Sequence, residues 1–224
     1  MAEKEKKSSS EKLNSFLEKN RIWLLSVLGV AVAVVVVYAV LVTVNAKSNE
    51  KVLSEIDEIT YVFTKDFSSL EESEIENRRN VAMEALTPYL KKNGVGGVRA
   101  NMLAADLSFQ KKDYSSAMEY YKNAAEKGKK SYTAPLSYYN MGVCAEQLGN
   151  LSESSEYYKK AADSEGFILK SHALFSLGRV YEAQKDFEKA NEFYTTLINS
   201  APDDSWAKMA KTRVIDLKVK GQIQ

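Results

Sequence analysis

The lone thiol and the lone imidazole are the most reactive side chains in this sequence, and their settings limit the chemistry open to it. Cys144 stands between Val143 and Ala145, two residues after Gly142, inside an apolar helical pattern. A thiol in such surroundings packs as a small hydrophobe rather than ionising to a nucleophile. His172 is the single histidine and opens another helical stretch. A zinc set or a Cys–His nucleophile therefore lacks its remaining members. Gly94-Val95-Gly96-Gly97 has no Lys-Ser/Thr after it and follows a helix rather than a strand, so it reads as a flexible joint, not a phosphate cradle. The Glu71-Glu72-Ser73-Glu74 cluster lacks the twelve-residue order of a calcium loop and reads as solvated surface. Lys122 follows Tyr120 and Tyr121, but those tyrosines fall at core positions, which argues against a nucleic-acid face. The expectation is a binding protein and not an enzyme, with no cofactor, no metal, no nucleic acid and no small-molecule substrate. One cysteine cannot close a disulfide within the chain, and this says nothing about compartment.

The elements that would carry a binding surface are uneven along the 224 residues. Ile22 to Val44 contains no charge, whereas Lys, Glu, Asp, Ser and Tyr dominate the remainder. Those 23 residues would span about 34 Å as a helix, enough for a hydrocarbon core of about 30 Å. Trp23 suits the headgroup boundary. A cleaved signal peptide is the competing reading, and Val44-Asn45-Ala46 offers a small-residue cleavage pattern, but the apolar run exceeds the ~7–15 residues of such signals. Residues 22–44 are read as a signal anchor in a lipid bilayer. Lys4, Lys6, Lys7, Lys12, Lys19 and Arg21 precede the run, while an acid-rich stretch follows it. The positive-inside rule then leaves residues 1–21 as a disordered cytoplasmic tail and sends the C-terminal domain across the membrane.

Beyond the anchor, Val52, Ile56, Ile59, Phe63, Phe67 and Leu70 recur at steps of three and four, which predicts an amphipathic helix. A second helix is expected from Glu74 to Lys92, burying Val81, Ala82, Ala85, Leu86, Tyr89 and Leu90 and shortened by Pro88. Residues 48–94 thus form helices that precede a repeat. The repeat emerges on aligning Ala105, Gly142 and Gly178. Tyr114, Leu151 and Phe187 then coincide, followed by Ala117, Ser154 and Ala190, and by Tyr121, Tyr158 and Tyr194. A small residue at Gly142 or Gly178 lets two helices approach, and the tyrosine is expected to fill the space between units. A last helix, residues 205–218, places Trp206, Met209, Ala210, Val214 and Leu217 inward, with Lys208, Lys211 and Arg213 outward, as a solenoid cap requires.

These positions resemble the tetratricopeptide repeat (TPR). Leu177-Gly178, Tyr181, Phe187, Ala190, Tyr194 and Pro202 stand at consensus places, with weaker copies before them, over residues 98–202. The resemblance implies an all-α protein: one transmembrane helix, then a TPR-like α-solenoid of about three helix pairs with flanking helices. As a whole, the chain is similar to the ancillary SecYEG translocon subunit family, whose TPR domain is grouped with that of a periplasmic cell-division coordinator. The shared features are the basic tail, the anchor near residue 22, the amphipathic helix and a terminal helix with Trp206-Ala207, Ala210, Arg213 and Leu217. That resemblance implies a bacterial inner-membrane protein, N-terminus cytoplasmic and solenoid periplasmic, with the SecYEG translocon and periplasmic chaperones as partners.

A repeat array offers a concave face lined by the first helix of each unit. Its candidate protein-binding residues are Arg99, Met102, Asp106 and Phe109, then Tyr139, Asn140, Val143 and Glu146, then His172, Phe175, Arg179 and Glu182. Packing of Tyr139 and Phe175 against neighbouring helices is the alternative to their exposure. The carboxylate clamp of TPR proteins that bind acidic chaperone tails would fall on Met102, Asp106, Asn140, His172 and Ser176, and only Asn140 fits. The functional expectation is a membrane-tethered adaptor assisting secretion, chaperone hand-off or envelope assembly. An organelle-surface receptor with a cytosolic domain, and a scaffold for a membrane complex unrelated to secretion, are the alternatives.

Overall fold

The computed structural model describes residues 9–129 and 131–224, and these are helical apart from short turns. Its element order is α1 (Ser9–Thr64), a single 3₁₀ turn (Phe67–Ser69), α2 (Glu72–Leu90), α3 (Gly94–Gln110), α4 (Tyr114–Lys127), α5 (Thr133–Gln147), α6 (Leu151–Ala162), α7 (Lys170–Ala183), α8 (Phe187–Ser200) and α9 (Ser205–Val219). Two compact units divide at Ser48, the first Met1–Ser48 and the second Asn49–Gln224.

In the first unit the apolar run lies within α1, which continues without a break through Asn45-Ala46-Lys47-Ser48. No glycine or proline stands there to end the helix. The same helix includes Ser9–Arg21, which corrects the expectation of a disordered tail for those residues; positions 1–8 lie outside the described residues. Leu24 apart, every side chain from 21 to 48 is exposed. Among the described residues, α1 is the one helix long and apolar enough to cross a membrane.

The second unit is a stack of helix pairs. Val52, Ile56 and Phe63 of α1 are buried against Ala82 and Leu86 of α2 and Ala100, Ala104 and Leu107 of α3. Each such large side chain contributes about 1.5–3 kcal/mol on burial. The buried stripe of α2 is rotated from the expected one: Ile75, Ala82 and Leu86 are inside, whereas Val81 is 54% exposed and Ala85 is exposed. Both lie instead along an open groove between α1 and α2. The glycine stretch is not a flexible joint. Gly96 and Gly97 are buried in the first turn of α3, and a Cβ on Gly96 would come within 2.5 Å of Val52 Cγ1. Buried Asn101 locks this junction by donating from Nδ2 to the carbonyls of Leu90 (2.9 Å) and Gly97 (2.7 Å).

The three following pairs, α3/α4, α5/α6 and α7/α8, share one local design. The first helix of each ends on a residue with positive φ, namely Lys112 (60°), Gly149 (78°) and Lys185 (63°). The next residue, Asp113, Asn150 or Asp186, precedes the second helix, and both aspartates accept from a backbone N–H three residues on. Within a pair, Tyr158 packs on Gly142 and Tyr194 on Gly178, where an added Cβ would lie 2.8 and 2.5 Å from the rings. The tyrosines thus occupy the space left by the glycine of their own pair, a correction to the expected inter-unit role. Ser154 replaces the usual alanine because its hydroxyl donates to the Gly142 carbonyl at 2.8 Å in the core. α9 packs on α7 and α8 through Ala207, Ala210 and Leu217. Met209, expected inward, is 48% exposed.

Candidate protein-binding face

The first helices α3, α5 and α7, with the unpaired α9, lie side by side and carry every candidate binding residue. Arg99 is exposed and reaches back to Asp57 of α1 at 2.6 Å. Met102 is half-buried, with its sulfur 3.7 Å from Ser137 Oγ. Phe109 packs edge-on against Tyr114. Asp106 accepts from the Tyr121 hydroxyl at 2.5 Å. Burial raises the Asp106 carboxyl above its ordinary range, while that hydrogen bond pulls the other way. Asn140 and Val143 are half-buried and contribute both polar and apolar surface.

Tyr139 and Phe175 are buried, at 9% and 7% exposure, and pack against neighbouring helices. The reason is a ladder of rings running across α5, α7 and α9. The Tyr139 ring lies 5.0 Å from His172, and His172 stacks on Trp206 at 3.9 Å with planes 14° apart. Trp206 also covers Phe175, at 5.3 Å. The Tyr139 hydroxyl lies 3.0 Å from His172 Nε2. Burial lowers the His172 pKa, with the nearby Arg179 charge acting in the same direction, so the ring is neutral at pH 7.

Beside the rings runs a second ladder, of charges. Arg179 of α7 grips Glu146 of α5 through both terminal nitrogens, one at 2.7 Å, and Glu146 also accepts from the Tyr158 hydroxyl at 3.1 Å. One unit later the motif repeats. Glu182 accepts from Tyr194 (2.6 Å) and from Arg213 Nε on α9 (3.0 Å), with a further Nη2 contact. Arg213 was expected to point outward; it is half-buried because it supplies the partner of Glu182. Its place was legible, since it follows Arg179 by nearly one repeat, as Trp206 follows His172. Hydrogen bonding to the glutamates raises both arginines further above their ordinary values, so both are cationic at any relevant pH. Cys144 is fully buried and its thiol is pushed up to about 12, mainly by burial and secondarily by the Asp106 charge. No group of three or more His, Cys, Asp or Glu among the described residues is placed to hold a metal.

At one end of these helices, the α4–α5 and α6–α7 loops enclose a cavity of about 820 Å³, lined by Tyr132, Leu136, Tyr138, Phe167, Ile168 and Leu169. Ile168 is 90% and Tyr132 77% exposed. Neither stands in a periodic helical pattern; the signal for Ile168 is an apolar side chain two residues after the turn glycine Gly166.

Residues 98–126 and 136–165 match one tetratricopeptide-repeat family model, and residues 172–204 match another. The three helix pairs are therefore similar to tetratricopeptide repeats, and the second unit is a TPR-like solenoid. The chain is 32% identical over 130 residues to a TPR repeat-containing protein of Treponema pallidum (strain Nichols), covering 58% of this chain and 54% of that one. It is 33% identical over 91 residues to response regulator aspartate phosphatase J of Bacillus subtilis (strain 168), covering 39% of this chain and 23% of the phosphatase. In solved structures the TPR fold is similar to the apo form of RapI, with a TM-score of 0.55, 18% identity and coverage of 70% of this chain and 61% of RapI. It is also similar to a Rap protein complexed with Competence and Sporulation Factor, with a TM-score of 0.51, 24% identity and coverage of 75% and 46%. At these identities the structural likeness concerns the fold alone. The chain spans less than two thirds of each of these proteins.

Proposed function

We propose that this TPR chain is a membrane-tethered adaptor whose repeats hold a protein partner, with residues 22–44 in the bilayer and the solenoid on the periplasmic side. The carrying observation is the bare apolar surface of α1: the side chains of that run, Leu24 aside, are uncovered by protein. An apolar band of this length in water would be strongly unfavourable, and lipid is the solvent that fits it. The excess of Lys and Arg before it supports that orientation. Because Tyr139 and Phe175 are inside, the binding surface is polar and half-apolar: Met102, Val143, Trp206 and Met209 between charges, with the Ile168 cavity taking one large apolar side chain of the ligand. A Rap protein of similar fold takes Competence and Sporulation Factor; here the ligand is proposed to be a segment of another protein. Tethering raises the local concentration of this face for membrane partners, so weak contacts suffice. The finer role proposed is in secretion, chaperone hand-off or envelope assembly, beside the SecYEG translocon and periplasmic chaperones.

The test is labelling with a membrane-impermeant maleimide in bacterial cells, using a Cys144→Ala background with Glu18→Cys or Lys208→Cys. Labelling of position 208 once the outer membrane is permeabilised, with position 18 labelled only after lysis, supports the reading. The reverse pattern places the repeats in the cytosol, and release of the chain by alkaline washing removes the tether.

A further inference from the structure

The two ends of the second unit carry opposite charge beside exposed apolar side chains. At the first end, α1 and α2 frame an open groove of about 760 Å³ whose walls include Tyr61, Val62 and Val81, at 61%, 53% and 54% exposure. Glu55, Glu58 and Glu74 stand on its rim against Lys65 and Arg78. Arg78 is already committed, donating to the carbonyls of Val62 (3.2 Å) and Lys65 (2.7 Å) and to Glu74 (3.0 Å). Residues 55–85 as a whole carry nine carboxylates and three cations.

At the other end, α9 has no second helix packed on it. Lys208, Lys211, Ile215, Lys218 and Val219 fall on one face at helical spacing, and all are exposed, Ile215 at 62% and Val219 at 82%. None of these three lysines has an ion-pair partner among the described residues. Residues 205–220 carry five cations and one carboxylate. In α7 the equivalent positions, Leu174, Leu177 and Tyr181, are apolar and bear on α8; in α9 two of the three have become lysine. That substitution rules out a simple continuation of the repeat and favours a counterpart that is apolar along its centre and acidic at its edges.

We propose that this counterpart is the α1–α2 groove of a second copy of the chain, so that α9 of one molecule seats in the groove of the next. The match is one of chemistry on both components: Ile215 and Val219 against Val62 and Val81, and Lys208, Lys211 and Lys218 against the acidic rim. There Glu58 has no ion pair among the described residues, while Glu55 accepts from Tyr89 (2.9 Å) and Glu72 and Glu74 pair with Arg79 and Arg78. Such a contact is heterologous, with two different surfaces meeting, and it propagates head to tail rather than closing as a two-fold dimer.

Full-length chain in detergent micelles tests this with cysteine pairs in a Cys144→Ala background. Val81→Cys chains mixed with differently tagged Ile215→Cys chains should cross-link with a short bismaleimide, whereas neither variant alone should. A chain carrying both cysteines should give a ladder of covalent oligomers. Lys211→Glu should cut the mixed cross-link by about five-fold, the range of one exposed ion pair, and Glu58→Lys in the other chain should restore it. Three outcomes would overturn the proposal. These are absence of the mixed product, equal yield from Val81→Cys alone, and capture in native membranes of only other proteins by Val81→Cys.

Discussion

Replacing Glu182 with alanine probes the charge ladder at its most enclosed rung. The Glu182 side chain is 10% exposed, and its carboxylate receives both the Tyr194 hydroxyl and Arg213. Its removal leaves that hydroxyl without its acceptor in a core where Tyr194 is fully buried, a cost of about 1–3 kcal/mol. Arg213 stays 41% exposed, so it recovers water, and the full 3–5 kcal/mol typical of breaking an enclosed ion pair does not apply. The expected loss is about 2–3 kcal/mol, read as a fall in Tm of about 5–10 °C for a chain of this size. Thermal melts of the full-length chain in detergent, followed by circular dichroism at a helical wavelength, measure it. Tyr194→Phe removes the orphaned hydroxyl, so the double variant Glu182→Ala/Tyr194→Phe should lose about 1 kcal/mol less than the single variants added together. Strict additivity would refute the coupling of Glu182 to the Tyr194 hydroxyl, and a Glu182→Ala variant within about 0.5 kcal/mol of the parent would refute the claim that this carboxylate joins the last repeat to α9.

Four further substitutions separate the other devices of the fold. Gly178→Ala puts a methyl group 2.5 Å from Tyr194 Cε1 and should cost about 1–3 kcal/mol by overpacking, measured by the same melts; Gly149→Ala, with nothing within 4 Å, should cost only the about 1–2 kcal/mol of a left-handed backbone. Lys185→Gly relieves a positive φ of 63° and should stabilise by about 0.5–1 kcal/mol, a rise in Tm of about 2–3 °C. His172 has a folded pKa below its unfolded value because of burial and Arg179. The unfolded chain therefore takes the proton first, and stability held above about pH 6.5 is lost progressively as pH falls below that value. His172→Gln should flatten the Tm-against-pH curve in that window, and an unchanged slope would show that another group titrates there.

The helical class and the repeat were legible because each repeat position has a steric cause visible in residue type. Glycine at 142 and 178 meets tyrosine at 158 and 194, and a period near one helix pair follows. What the sequence concealed depends on which side of a helix faces which neighbour. Tyr139 and Phe175 occupy positions that line a groove in an open array, but Trp206 from α9 closes over Phe175 and His172. That closure requires knowing that α9 acts as the first helix of an incomplete fourth pair. Val81 and Ala85 read as core because their spacing suits a buried stripe, yet only about half of α2 is covered, and the α1 side of it stays open. Gly96 and Gly97 looked like slack in the chain; packing against Val52 of α1 requires Gly96, a contact between distant residues that no local pattern announces, and close approach of the Lys92 carbonyl requires Gly97. The loop residues Tyr132 and Ile168 escaped notice because periodicity arguments apply to helices and say nothing about apolar side chains between them.

The adaptor reading is tested most directly by site-specific photocrosslinking of the full-length protein in intact bacterial cells. A photoreactive residue would be placed in turn at Val143, Arg179 and Ile168, with Lys159 on the second-helix side as the control. The account predicts discrete protein adducts from the first-helix face and the Ile168 cavity, identified by mass spectrometry as membrane or envelope proteins, and none from Lys159. Equal adducts from all four positions, or none from any, would contradict the claim that this face holds a protein partner.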